Sequence, residues 1–237
     1  MAMSTRIGII SAMEREVAPF ISGWSPVRLQ RTPLVMRTDR SGETAYVASG
    51  IGREPGIAAS EALVAAFKPD VLVSAGFAGA LIAERRVGDE ILVGVVVDGT
   101  TGESFRTESS SSRRIVSSGF IANRDAKLEL HSRYDAEAVD MEGAAVGTVA
   151  KRHGIPFYAV KTISDELDFP MLPFGSFVDQ QGRFRIAGFL GHVSLRPAHW
   201  QGLIRMGRNS SKAAAKLRAE LERLTTGIRQ TRAVQVS

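Results

Sequence analysis

Ala138-Val139-Asp140-Met141-Glu142-Gly143-Ala144-Ala145 and, further along, Lys161-Thr162-Ile163-Ser164-Asp165 decide how this chain is read. Between them lie a helical stretch from Val146 to His153, the turn Gly154-Ile155-Pro156 and the apolar run Phe157-Tyr158-Ala159-Val160. The order is strand end, helix, tight turn, buried strand. Carboxylates therefore fall where a helix begins and where the next strand ends. In open α/β sheets, ligands bind beyond the carboxyl ends of the strands. Carboxylates at two neighbouring element ends can converge on one small molecule, one gripping hydroxyls while the other handles a proton.

Working outward, Arg6 to Ile10 reads as a first strand and Met13 to Phe20 as a short helix capped by Ser11. Thr44 to Ser49 is a buried strand closed by Gly50-Ile51-Gly52, and Pro55 to Phe67 is a helix with proline near its first turn. Lys68-Pro69-Asp70 breaks it. Val71-Leu72-Val73 is the next strand, with Gly76 and Gly79 at its exit. Glu90 to Val97 reads as one strand and Asp98 to Ser118 as a polar loop. Strands alternating with helices imply crossover units, hence an α/β protein with a mostly parallel sheet. Beyond Phe169-Pro170-Met171-Leu172-Pro173-Phe174-Gly175, an irregular apolar loop, the spans Ala198 to Met206 and Ser210 to Thr225 read as two helices. Ala213, Leu217, Leu221, Leu224 and Ile228 recur at helical spacing and must pack on something. No repeat or linker divides the chain. A single domain over 1–237 is expected, with a basic helical extension over about 178–232.

Composition narrows the function classes. The 237 residues are 44% hydrophobic and 23% charged, ample for a packed core. No apolar run reaches the roughly 18 residues of a membrane span. The apolar stretch after Arg6 is too short for a secretory leader. There is no cysteine, and His131, His153, His192 and His199 lack metal-ligand spacing. A cytoplasmic protein without metal or cofactor is expected. The net charge of +5 is uneven: residues 181–232 carry eleven Lys/Arg against Glu220 and Glu222, a local +9, so the remainder is −4. A basic tail suits an anionic surface, or it is simply a solvated helix face.

Val139-Asp140-Met141-Glu142 with Ile163-Ser164-Asp165 resembles the signature of the nucleoside phosphorylase/nucleosidase superfamily. Ile7-Gly8-Ile9-Ile10-Ser11-Ala12-Met13-Glu14-Arg15-Glu16-Val17 is similar to the start of methylthioadenosine/S-adenosylhomocysteine nucleosidases. Ser49-Gly50-Ile51-Gly52 and Ser74-Ala75-Gly76-Phe77-Ala78-Gly79-Ala80-Leu81 agree, and the four motifs occur in the family's order across residues 6 to 165. The resemblance implies a three-layer α/β/α phosphorylase-like fold with a twisted central mixed sheet. It implies that Asp165, beside Ser164, protonates N7 of a departing purine, and that Glu16 activates water. It implies that Glu142 and Met141 hold the ribose, that Phe120 and Ile121 sandwich adenine, and that Gly76 and Phe77 contribute to the substrate site. The chemistry suits these residue types: a carboxyl neutralises the charge left on the base, and a carboxylate accepts two hydrogen bonds from adjacent hydroxyls. Asp140 departs from the family's frequent glutamate.

Phosphorolytic relatives hold phosphate with arginines and a serine at positions matching Ser74 and Phe77. A dianion wants bidentate guanidinium partners, so water is the expected nucleophile, with Arg53 the remaining nearby cation. Asp179-Gln180-Gln181-Gly182-Arg183-Phe184-Arg185 and Leu195-Arg196-Pro197-Ala198-His199-Trp200, ahead of a basic helix, resemble the C-terminus of the hopanoid-associated nucleosidase/phosphorylase branch. That resemblance implies a lipid-linked nucleoside such as adenosylhopane and peripheral contact with the inner membrane face through the basic tail. The expectation is hydrolysis of a 5′-substituted adenosine to release adenine. The alternatives are a purine nucleoside phosphorylase and a catalytically silent nucleoside-binding or membrane-associated protein. The expected partners are a small-molecule nucleoside and a second copy of the chain, with no nucleic acid.

Overall fold

A computed structural model describes residues 5–29, 32–170 and 200–235. The apolar loop expected after Phe169 lies outside them from residue 171 onward, as do the tail motifs from Asp179 to His199. Trp200 opens the last helix, but its side chain is also outside them.

In chain order the elements are β1 (Ile7–Ser11), α1 (Glu14–Val17), β2 (Ser25–Arg28), β3 (Val35–Thr38), β4 (Thr44–Ala48) and α2 (Arg53–Phe67). Then follow β5 (Val71–Ala80), β6 (Glu90–Val93), β7 (Val95–Asp98), β8 (Ser104–Arg106), β9 (Arg114–Ser117) and α3 (Arg124–Tyr134). The chain continues through β10 (Ala138–Asp140), α4 (Gly143–His153), β11 (Phe157–Asp165) and α5 (Trp200–Gln235). The described strands form an 11-stranded sheet in the order β2-β3-β4-β1-β5-β10-β9-β7-β8, with β11 inserted against β5 and β6.

The sheet is evenly mixed rather than mostly parallel. β1 is parallel to β4 and β5, and β11 is parallel to β5. β10 and β6 run antiparallel to their neighbours β5 and β11. β5 is the hub, and it is longer than the apolar run Val71–Val73: it carries on through the glycine motif to Ala80. Gly76 and Gly79 are therefore inside a strand, because backbone pairing to β11 continues where side chains are small. Glu90 to Val97 is two strands instead of one. They part at Gly94, where a Cβ would collide with the Ser111 carbonyl. The polar span 98–118 holds β8 and β9, buried through Phe105, Ile115 and Val116. α1 is a single turn, and Ser11 does not cap it: its hydroxyl donates to the Met13 carbonyl and pairs with Tyr46 Oη at 3.0 Å.

Alternation along β1 sorts the layers. Ile10 joins the core formed with Leu63 and Phe67 of α2 and Val146 and Val149 of α4. Ile7 and Ile9 face the other way, onto Val17 and onto Leu217, Leu221 and Ile228 of α5. The result is a three-layer α/β/α fold. α5 is one helix where two were expected. Gly207 sits inside it, at a local cost of about 1 kcal/mol, and the Ser211 hydroxyl back-bonds to its carbonyl at 3.0 Å. The buried stripe that follows holds the helix against the sheet. No helix among the described residues is long and apolar enough to cross a membrane.

Leu217 is fully buried between α5 and the sheet. Leu217→Ala should cost about 2–5 kcal/mol of unfolding free energy, through lost burial and the cavity left behind. Urea denaturation followed by circular dichroism measures this.

Candidate active site

The strand ends meet at one open cleft with a cavity of about 150 Å³. Its wall includes Met13 beyond β1, Ile51 beyond β4, Glu142 beyond β10 and Asp165 ending β11. This is the carboxyl edge of the sheet.

One end of the cleft is acidic and dry. Glu16 is buried: its Oε2 accepts from the Met13 backbone N–H at 3.2 Å, and the Phe77 backbone also donates to the carboxylate. Gly76 makes this possible. Its φ of +147° disfavours other residues, and a Cβ there would lie 3.1 Å from Glu16 Oε2. Gly76 thus sits beneath Glu16 and is not part of the cleft wall, contrary to expectation. Glu142, the N-cap of α4, accepts from the Gly52 N–H at 2.7 Å. Burial pushes the Glu16 carboxyl up to about 7, against smaller opposing effects of the Met13 N–H and Lys161. Burial, reinforced by the Asp140 carboxylate, likewise raises Glu142.

Lys161 and Asp140 lie beneath these two acids. Lys161 Nζ is 2.6 Å from Asp140 Oδ2 and donates to Ser74 Oγ at 2.9 Å. Asp140 also accepts from Ser117 Oγ at 2.5 Å and from the Gly143 N–H at 2.8 Å. Its two oxygens are thus engaged by Lys161, Ser117 and the start of α4. Ser74 is buried on this ammonium and is absent from the cleft wall. Arg53 is held by Asp98 at 3.0 Å and Glu54 at 3.2 Å. Of the expected pair, Phe77 alone reaches the cleft.

The other end is built by an irregularity in β11. Ile163 pairs with Ala78 and Asp165 with Gly79, leaving Ser164 as an extra residue. Such a bulge re-aims the side chain that follows. The Ser164 hydroxyl donates to Asp165 Oδ1 at 2.8 Å. On the opposite oxygen sits Lys127 Nζ, 2.5 Å from Oδ2. Between the two ends, Phe120, Ile121, Met141 and Phe77 line the walls. Phe120 is 55% exposed, an aromatic face free to cover a flat ligand.

The structure therefore brings Asp165, Ser164, Glu16, Glu142, Met141, Phe77, Phe120 and Ile121 to one cleft and leaves Gly76 behind it. Sequence reasoning missed Lys127, Lys161 and Ser117. Lys161 lies inside the quoted motif, and a charged residue within an apolar strand was its available signal. Lys127 sits in a charge-rich helix and had none.

The cleft lies at the carboxyl edge of a mixed α/β/α sheet, where open α/β sheets bind their ligands, with carboxylates at both ends and Phe120 between. The sequence profile of the phosphorylase superfamily matches residues 6–113 and 113–183, and the chain belongs to this superfamily. Aminodeoxyfutalosine nucleosidase of Helicobacter pylori is 24% identical over 219 residues, 76% of this chain and 94% of that protein. The 5′-methylthioadenosine/S-adenosylhomocysteine nucleosidase of Shewanella loihica is 26% identical over 216 residues, 75% of this chain and 94% of that protein. Among solved structures, apo 5′-methylthioadenosine nucleosidase of Arabidopsis thaliana aligns with a TM-score of 0.73 at 19% identity, covering 95% of this chain and 96% of that one. A point mutant of the Helicobacter pylori nucleosidase, with 5′-methylthioadenosine in its active site, aligns with a TM-score of 0.68 at 19% identity, covering 93% of this chain and 100% of that one. These structures share the fold.

The raised carboxyls make stability fall as pH rises. Glu16 titrates near its ordinary value of 4.5 when unfolded and about 7 when folded. Between those values the folded state binds more protons, so its advantage is lost as pH climbs through about 7; Glu142 adds the same sign. The melting temperature should decline across this window, and Glu16→Gln should flatten the decline, as thermal melts against pH would show.

Proposed function

We propose that this chain hydrolyses the N-glycosidic bond of a 5′-substituted adenosine, releasing adenine. The observation that carries the reading is the polarity of one cleft: the Asp165–Lys127 ion pair at one end, buried high-pKa carboxylates at the other, and Phe120 between them. The base lies under Phe120 with N7 toward Asp165, and the ribose hydroxyls meet Glu142 above Met141. As the C1′–N9 bond lengthens, a proton delivered at the Asp165 end neutralises the purine. Positive charge gathers on the sugar, where Glu16 stabilises it, orients water and takes that water's proton. A carboxyl poised near 7 is well matched to this role. The names of the relatives, nucleosidases acting on adenine nucleosides, support the same reaction class.

Water is favoured over phosphate by the charges present. Lys127 is the one cation among the described residues of the cleft wall, and it is paired. Met13, Ile51 and Phe77 supply apolar surface for the 5′ substituent. For the finer reading, a large apolar 5′ group presented at a membrane, the support is the outward face of α5. Arg208, Lys212, Lys216 and Arg218 are exposed there, while the apolar stripe is buried.

With 5′-methylthioadenosine, product chromatography should find free adenine and free methylthioribose at a rate indifferent to added phosphate. A ribose 1-phosphate product would make the enzyme a phosphorylase, and tight binding without adenine release would make it a silent binder. Asp165→Asn should slow release by about 10²–10⁴-fold, and Glu16→Gln should stop hydrolysis. The acid limb of kcat/KM should have its midpoint near 7. Exposed basic residues contribute at most about 1 kcal/mol each at an anionic surface. Sedimentation with anionic vesicles should accordingly show binding at low salt that high salt abolishes.

A further inference from the structure

Tyr46 is fully buried among Ile7, Ile9, Val17 and Val73, in the apolar layer that α5 closes, so its hydroxyl must find a partner inside the protein. The partner is Ser11 Oγ, 3.0 Å away and equally buried. A serine hydroxyl has one proton, and that of Ser11 goes to the Met13 carbonyl at 3.1 Å. The phenol is therefore the donor, and the chain runs from Tyr46 O–H through Ser11 O–H to the Met13 carbonyl. It acts where backbone pairing stops. The Ser49 N–H donates to the Ser11 carbonyl and the Gly50 N–H to the Ala12 carbonyl, each at 2.9 Å, and these bonds join the exits of β1 and β4. At Met13 that ladder has ended. Its carbonyl accepts instead from Ser11 Oγ and from the Glu16 N–H at 3.1 Å, and its own N–H donates to Glu16 Oε2 at 3.2 Å. Phenylalanine and alanine would fill the same space without burying two hydroxyls, and a neutral hydrogen bond returns little net stability. What the pair adds is direction.

We propose that Tyr46 and Ser11 are positioning residues: their hydroxyl chain fixes Met13, which in turn holds Glu16 where it can orient and deprotonate water. This rests on the nucleoside-cleavage reading above. Neither hydroxyl belongs to the cleft wall, so both act through Met13. Glu16 needs such support because α1 is four residues long, too short to be rigid by itself. Its carboxylate has two backbone donors, Met13 and Phe77. Phe77 lies in β5 and is fixed by pairing with β11. Met13 lies in a turn and is fixed by the hydroxyl chain. The charged and titratable groups that act on Glu16 are Lys161 of β11, Arg15 of α1, Glu142 at the start of α4 and Tyr46 itself. Burial drives the Tyr46 phenol far above its ordinary value, so it stays neutral. Removing its hydroxyl changes no charge around Glu16. It loosens one N–H that favours the ionised carboxylate, and the affinity of Glu16 for its proton rises.

The test compares Tyr46→Phe, Ser11→Ala and the double variant with the wild-type protein, by adenine release from 5′-methylthioadenosine against pH and by thermal melts against pH. Tyr46→Phe should lower kcat by about 10–10²-fold, the cost of a slightly misplaced group, with KM near the wild-type value because Glu16 holds the water. The acid limb of kcat/KM and the decline of melting temperature should both move to higher pH. Ser11→Ala leaves the Tyr46 hydroxyl buried without a partner, so it should lose melting temperature as well as kcat. The double variant replaces both hydroxyls by apolar groups of the same shape. Its melting temperature should return toward the wild-type value while kcat stays low. Recovery of kcat along with stability would make the pair a packing feature and overturn the proposal. A Tyr46→Phe enzyme with wild-type kcat and an unmoved acid limb would overturn it and leave the nucleosidase reading standing, and so would a loss confined to KM. If the wild-type protein releases no adenine, the nucleosidase reading itself fails. The link from Tyr46 to Glu16 is then decided by the melts, where an unmoved decline overturns it.

Discussion

One ammonium set beneath three buried carboxylates is the constraint on which the site depends. Lys161 pairs with Asp140 at 2.6 Å, and Glu16 and Glu142 lie close enough for the same charge to act on both. Three ionised acids sharing a dry floor with a single cation would be costly. The chain meets that cost by committing Asp140 wholly to Lys161, Ser117 and the Gly143 N–H, and by leaving Glu16 and Glu142 with raised affinities for protons. The same contacts fasten the end of β10 to the start of α4 and link β11 to β5 through Ser74. Electrostatic balance and the joining of four elements are thus one arrangement.

The cleft is formed twice over by lysine–carboxylate pairs, and the two differ in what surrounds them. Lys161 is sealed under the acids and touches only fixed partners of the scaffold. Lys127 arrives from a helix outside the sheet and reaches the wall where a ligand would lie. Its approach depends on local backbone features: the extra residue Ser164 in β11 swings Asp165 inward, and the bare Cα of Gly79 leaves space for the two charged ends. A cleft of this kind is preorganised, because donors and acceptors are set before a ligand arrives and need not be rearranged during reaction.

α5 shows how one helix can satisfy two demands. Leu217, Leu221 and Ile228 bury against β1, β5 and β11, closing one layer of the fold. The opposite face stays basic and exposed. Arg205 also reaches back, its guanidinium 4.5 Å from the centre of the Phe169 ring, so the helix touches the segment that follows β11.

Much was legible in the amino-acid order itself. The apolar run Ile7–Ile10, the apolar run before Ile163-Ser164-Asp165 and the glycine-marked turns placed strands, crossovers and the carboxylates at their ends, because burial and turn chemistry act locally along the chain. Boundaries that depend on neighbours were not legible. β5 runs through a glycine motif because β11 pairs with it there; Gly94 splits an apolar run because the Ser111 carbonyl presses against it; β8 and β9 arise within polar sequence because partners exist for them. The acids Glu16, Glu142 and Asp165 could be named from their motifs, but their ionisation could not, since it is set by burial and by charges distant in sequence. Lys127 and Asp165 are joined only by tertiary structure. The sequence by itself determined the layers of this protein and the acids it carries; folding alone decided which charges share a dry floor and which lysine stands at the end of the cleft.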